Sequence, residues 1–213
     1  MGVLLNQQSA FDTILFALAI GGGIVGFATV AWLLVVLPSA VVCAKKARHR
    51  GSWWALYVLG LHELLRPLHR QLRQAPGVRY KLSRFLSLVY QCLTILFGAE
   101  IPLTTQIGKG LFLPHTAGVI LAGLVKVGDN CVICPGVVLG TDGRGHPPTI
   151  GHNVYIGANV VIIGPVTVGH SATIGAGTIL TRDIPPLALA VGNPGTVVKE
   201  NYRRTYHNYA NEA

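Results

Sequence analysis

The 213-residue chain predicts a mainly-β fold, a parallel β-helix of six-residue repeats preceded by an apolar and helical N-terminal segment. Three observations predict it. From Ile150 onward an aliphatic residue stands at every sixth position: Ile150, Ile156, Ile162, Val168, Ile174 and Leu180. Four residues after each of the first five comes a small or β-branched residue, Val154, Val160, Val166, Ala172 and Thr178. Ahead of the repeats lies a long uncharged run followed by a basic stretch. A period of six fits neither an amphipathic helix nor a hairpin sheet, whereas a short fixed period builds a solenoid. Three short strands and three turns make one triangular coil with the aliphatics stacked inside. Glycine at Gly151, Gly157, Gly169 and Gly175 is expected to relieve the tight turns.

Taken in chain order, residues 1–44 read as a hydrophobic anchor. No charge occurs from Thr13 to Ala44, a run longer than the roughly 20 residues that cross a bilayer. Gly21–Gly23 and Pro38 break or kink it, which leaves a spanning portion of about residues 14–36. No Lys or Arg precedes the run, so a secretory signal peptide fits poorly. KKARHR follows it, and the positive-inside rule then sets the rest of the chain on the cytoplasmic face of the membrane. A buried helical hairpin is the competing reading.

Residues 45–99 form a basic amphipathic helical segment. Residues 45–84 hold ten Lys or Arg against one acid, Glu63, while the rest of the chain holds seven of each sign. Interleaved with Trp53, Trp54, Leu64, Leu65 and Leu68, those charges read as helices against anionic lipid. The adjoining apolar run argues against nucleic acid as the partner. Residues 85–99 are apolar but too short to span, and are expected to cover the open end of the β-helix and its strand edges.

The β-helix itself covers residues 100–185, and 186–213 form a C-terminal tail. Upstream of Ile150 the register runs with interruptions: Ile107, Leu113 and Val119, then two extra residues before Val127, Ile133 and Leu139. The next step, from Leu139 to Ile150, is eleven residues and contains the excursion TDGRGHPPT. Loops that interrupt a solenoid gather on one face and often bind ligands. Cys131 and Cys134 form a C-x-x-C, but the register puts Cys131 at an inward slot and Cys134 at a turn. Plain packing is therefore expected rather than redox chemistry or a metal. His152 and His170 fall at outward positions and read as surface.

FGAEIPLTTQIGKGLFLPHTAG, the later GHPPTIGHNVYIGANVVIIGPVTVGHSATIGAGTIL, and VGNPGTVV resemble serine acetyltransferases and the related acetyltransferases of exopolysaccharide gene clusters. The resemblance covers roughly residues 97–198. It implies a left-handed β-helix, acetyl-CoA as donor substrate, no metal and a homotrimer. It also implies that His115, in LPHTAG, is the general base. An imidazole that titrates near neutrality can take a proton from an attacking hydroxyl and return it to the departing thiolate. The family orients this histidine with an aspartate fifteen residues earlier, a position held here by Glu100. Fifteen residues is close to one coil, so the two are expected on adjacent coils, within reach of each other. His146 takes the place of a histidine that shapes the acceptor pocket, with Arg144 beside it. The pantetheine arm of CoA would pass Gly140, Gly157, Ala158, Gly175 and Ala176. Arg182 or Lys199 would meet CoA phosphates, a solvated surface charge being the competing reading, and Gly192 and Pro194 would close over the donor.

Two departures bear on the acceptor. The family's arginine that grips the serine carboxylate is here Gly145, and the acidic residue that receives the amine is Pro114. An amino acid would then leave buried charges unpaired, which is costly. The sequence therefore favours an O-acetyltransferase acting on a sugar or polysaccharide precursor, in the exopolysaccharide branch. Serine O-acetylation in cysteine biosynthesis is the alternative. Two further readings are a non-catalytic β-helix scaffold at the membrane and a hexapeptide zinc enzyme built on His115, His146 and His152. The spacing of those histidines argues against the last.

Overall fold

The structure, a computed structural model, describes residues 53–74 and 77–203. The expected anchor, residues 1–44, lies outside the described residues. Among the described residues no helix is long and apolar enough to cross a membrane.

Two helices, α1 (Trp53–Arg73) and α2 (Val78–Leu96), lead into a parallel β-helix of about five coils with three faces. The first face stacks β1 (Ala99–Glu100), β3 (Val119–Leu121), β6 (Val138–Gly140), β9 (Val161–Ile163) and β12 (Ile179–Leu180). The second stacks β2 (Gln106–Ile107), β4 (Lys126–Val127), β7 (Thr149–Ile150) and β10 (Thr167–Val168). The third stacks β5 (Val132–Ile133), β8 (Tyr155–Ile156), β11 (Thr173–Ile174) and β13 (Leu189–Val191). On it β14 (Thr196–Lys199) turns back antiparallel against β13 and ends the ladder.

The six-residue period sets the interior as expected. Ile150, Ile156, Ile162, Val168, Ile174 and Leu180 are all buried, as are Val154, Val160, Val166, Ala172 and Thr178. Each fully buried aliphatic contributes roughly 1.5–3 kcal/mol, and the hydrogen-bonded rungs keep them in vertical columns. Register pairs Ile162 with Leu180 and Ile156 with Ile174, each eighteen residues on. Earlier coils are longer: Ala99 pairs with Val119 and Ile107 with Val127, twenty residues on. The 141–149 excursion stretches the step from Val127 to Ile150 to twenty-three.

The glycines do a different job from the one expected. Gly151, Gly157, Gly169 and Gly175 do not adopt positive φ; the left-handed position falls two residues later, at Asn153, Asn159, Ser171 and Gly177. Asn reaches that region more readily than most side-chain-bearing residues. What excludes a side chain from Gly157 is the coil above it: a Cβ there would stand 2.6 Å from the Ala176 nitrogen.

The helices pack differently from the expectation. Ala55, Val58 and Leu59 of α1 join the main core with Ala99, Ile101 and Leu111, so α1 covers the open end of the β-helix. Helix α2 buries only Ser83, Tyr90 and Thr94. Tyr90 packs with Tyr57, Leu61 and Leu103 in a second cluster beside the first coil. The expectation that residues 85–99 cap the solenoid is corrected for the helix itself, since of that segment Phe97, just past α2, packs against the main core. The apolar edge of the first coil is met by α1, whose inward stripe is the more aliphatic of the two.

Candidate active site

His115 stands exposed on the corner that joins the third face to the first. Its turn is tied down on both sides. Leu113 and Val119 are buried, and Phe112 bridges to Val132 on the third face. The buried Thr116 hydroxyl donates to the Phe97 carbonyl at 2.6 Å, and the Gly118 N–H donates to the Gly98 carbonyl at 2.7 Å. Gly118 takes φ +70°, with a Cβ position 3.3 Å from the Gly136 Cα, so glycine is required there. An imidazole on a corner pinned this way can be presented outward without its backbone moving.

The same corner repeats up the solenoid as a column of small residues. Gly136 N–H bonds to the Ala117 carbonyl, Asn159 N–H to Pro135 and Gly177 N–H to Ala158, at 2.8–2.9 Å. Gly157, Ala158, Gly175 and Ala176, named for the donor's pantetheine arm, therefore lie in the column that His115 begins. Gly192 and Pro194 lie at its upper end: the Gly192 carbonyl accepts from the Ile179 N–H at 3.0 Å. Arg182 is exposed on the turn after β12, at the other edge of the first face.

Glu100 does not meet His115 in the chain. The coil here is twenty residues long, so Glu100 lies under Ile120 rather than under the histidine. Its carboxylate accepts from the Gln91 side-chain amide of α2 at 3.2 Å, and no hydrogen bond or ion pair joins it to His115 among the described residues.

The excursion builds a pair that the sequence reading overlooked. Asp142 Oδ1 accepts the N–H groups of Arg144 and His146, at 2.9 and 2.8 Å, and Oδ2 lies 3.0 Å from His146 Nδ1. The backbone and ring bonds from His146 hold the Asp142 carboxyl below the usual carboxylate range. A carboxylate on Nδ1 fixes the tautomer and aims Nε2 outward. The signal was in the sequence as Asp142-Gly143, an Asx-turn opener two residues before Arg144. Gly140 ends β6 at the foot of this loop, and Gly145 takes φ +87° inside it.

His115 and the Asp142–His146 pair thus occupy opposite corners of the first face. Its outward side chains between them are apolar: Ile120 and Ile163 are exposed, and Val138, Val161 and Ile179 are half-buried. The second face presents Gln106, Lys126, Thr149 and Thr167 instead.

On the remaining corner, His152 and His170 are exposed but not idle. Asp129 N–H donates to His152 Nδ1 and His152 N–H donates to His170 Nδ1, each at 2.9 Å, and the rings stack at 5.0 Å. They satisfy backbone donors where the coils turn. Cys131 is buried with its Sγ 3.0 Å from the Gly151 carbonyl, and burial pushes its thiol up to about 11. Cys134 lies 3.4 Å from the Tyr155 hydroxyl instead. Among the described residues no group of three or more His, Cys, Asp or Glu side chains is placed to hold a metal ion.

Comparison with known proteins bears on the repeat. Residues 147–182 match the bacterial transferase hexapeptide (six repeats), and residues 117–141 match the hexapeptide repeat of succinyl-transferase. The serine acetyltransferase of Staphylococcus xylosus is 36% identical over 129 residues, 59% of this chain and 58% of that protein. The chloroplastic serine acetyltransferase 1 of Arabidopsis thaliana is 44% identical over 113 residues, 51% of this chain and 36% of that one. Among solved structures, soybean serine acetyltransferase complexed with serine superimposes with a TM-score of 0.62 at 26% identity, covering 78% of this chain and 69% of that one. The chain spans about half the length of the curated relatives it matches. Residues 117–141 and 147–182 thus carry hexapeptide repeats, and the β-helix they build is of the hexapeptide-repeat fold.

Proposed function

We propose that the chain is an O-acetyltransferase that moves an acetyl group from acetyl-CoA to the hydroxyl of serine, with His115 as general base. The observation that carries this reading is the pinned, outward-facing His115 at the start of a small-residue column, in a chain whose relatives are serine acetyltransferases. Acetyl-CoA supplies the activated thioester. His115 takes the proton of the attacking hydroxyl as the new C–O bond forms and returns it to the departing thiolate as the C–S bond breaks. The column formed by Gly157, Ala158, Gly175 and Ala176 offers backbone groups and no bulk along a pantetheine arm.

The site is completed between copies. His115 precedes β3 and His146 follows β6 one coil on, so the width of the first face, roughly 10 Å for a three-residue strand, stands between them within one chain. The apolar first face between them suits packing against the corner of a neighbour. In a homotrimer the loop of one copy meets the histidine of the next.

The acceptor has a second reading, favoured by Pro114 and Gly145. Neither residue offers a charge to an amino acid's amine or carboxylate, and a neutral sugar hydroxyl would need neither. Thiol release from acetyl-CoA by the detergent-purified full chain, with serine and with a panel of sugars and glycan precursors, separates the two. His115→Ala is expected to lower kcat/KM by about 10²–10⁴-fold for the true acceptor. Turnover indifferent to that substitution would remove His115 from the chemistry, and no release with any acceptor would leave a non-catalytic scaffold.

A further inference from the structure

Helix α2 is inside out. At 100° per residue, Ser83, Tyr90 and Thr94 share the side turned to the protein. The opposite side carries Val78, Leu82, Phe85, Val89 and Leu96, all exposed, with Val78 at 81%, Phe85 at 64% and Leu96 at 78%. A surface helix ordinarily turns such a stripe to the core, and a contiguous exposed stripe marks a contact.

Beside it runs a groove between the helices. Arg73 of α1 and Arg84 of α2 line it, next to Phe85 and Leu88, and Arg66 and Arg70 join Arg73 in an adjoining pocket between α1 and the first coil, against Leu103 and Thr104. Among the described residues none of these four guanidinium groups has a carboxylate partner. His69 is buried among them, 3.4 Å from the Ser87 hydroxyl. Burial and the Arg73 charge hold its imidazole below its usual range. A concave surface that collects positive charge without an acid is built for an anion.

We propose that this surface docks on an anionic bilayer, with lipid phosphates in the α1–α2 groove and the Val78–Leu82–Phe85 stripe at the acyl boundary. A second copy is disfavoured as the occupant. A two-fold contact sets the same patch against itself, and here that would oppose two uncompensated arginine clusters. A bilayer supplies both the apolar layer and the negative charge.

The test uses the full chain with Cys43 and Cys134 changed to Ser, so that Cys92, exposed on the same face of α2, carries an environment-sensitive fluorophore. The protein is mixed with vesicles of phosphatidylcholine alone or with phosphatidylglycerol added. The expected result is quenching by a nitroxide lipid, and protection from aqueous iodide, in the anionic vesicles only. Arg70→Gln, Arg73→Gln and Arg84→Gln should each lower the docked-to-free ratio about fivefold, with an unchanged melt of the β-helix. A probe that stays in water while the protein floats with anionic vesicles would overturn the proposal, because residues upstream would then be the sole anchor. Protection without lipid would overturn it too: concentration-dependent protection would mean a second copy, and concentration-independent protection a segment of the same chain.

Discussion

Replacing Gly157 by alanine tests how closely the coils stack. Its added Cβ would lie 2.6 Å from the Ala176 nitrogen and 3.0 Å from both the Ala176 Cα and the Gly175 carbonyl carbon. All three are backbone atoms, so no side chain can swing aside. Ordinary contact begins near 3.4 Å, which requires a local parting of 0.8 Å. The rung bond from Gly157 N–H to the Ile174 carbonyl is 2.9 Å and shares that gap. Stretched by the same amount it ceases to be a hydrogen bond, which costs about 1–3 kcal/mol for a buried pair. Overpacking adds about 1–3 kcal/mol. The predicted loss is therefore roughly 2–6 kcal/mol. Gly140→Ala is the control, because its Cβ would meet only Ile163 side-chain carbons at 3.6 and 3.9 Å, without a positive φ. That variant should be neutral, or more stable by about 0.4–1 kcal/mol through the unfolded chain. Urea unfolding followed by circular dichroism reads both. A Gly157→Ala protein as stable as wild type would refute the reasoning, since the coils would then have slack that the rung distances deny.

Other outcomes follow from the excursion and the cysteines. The Asp142 carboxyl titrates below its ordinary value of about 3.9, so its hold on the loop is complete above that value and is lost as pH falls through the depressed one. NMR titration of the His146 and Arg144 amides should show both bonds releasing together below about pH 4, and Asp142→Asn should abolish the transition. Cys131, buried with its thiol near 11, should resist maleimide at pH 8 until denaturant is added, while the exposed Cys92 reacts at once. Peptide mass spectrometry after timed labelling checks this, and early modification of Cys131 would show that the first coils open locally.

Much of the solenoid was legible because its repeat is short. Six residues advance the chain by one side of the triangle, so every inward slot from Ile150 to Leu180 could be assigned from spacing alone, and Cys131 fell into the same column. His115 was legible through its resemblance. Asp142 was not, because an Asp-Gly in a polar loop is common and only the folded loop brings its carboxylate onto Nδ1 of His146. The glycines were assigned to the correct positions for the wrong reason, since a turn and a close approach of backbones leave the same residue in the sequence.

The sequence by itself determined which side chains point inward, because that depends on a local period. The tertiary structure alone decided which residues are neighbours. Coil length varies from eighteen to twenty-three residues along the stack, and hydrogen bonding between coils, not spacing, sets each offset. That register placed Glu100 beneath Ile120 and beside Gln91 instead of at His115. It also gave α1 the core and left the apolar side of α2 in the open, because only the end of the first coil could choose between two amphipathic helices.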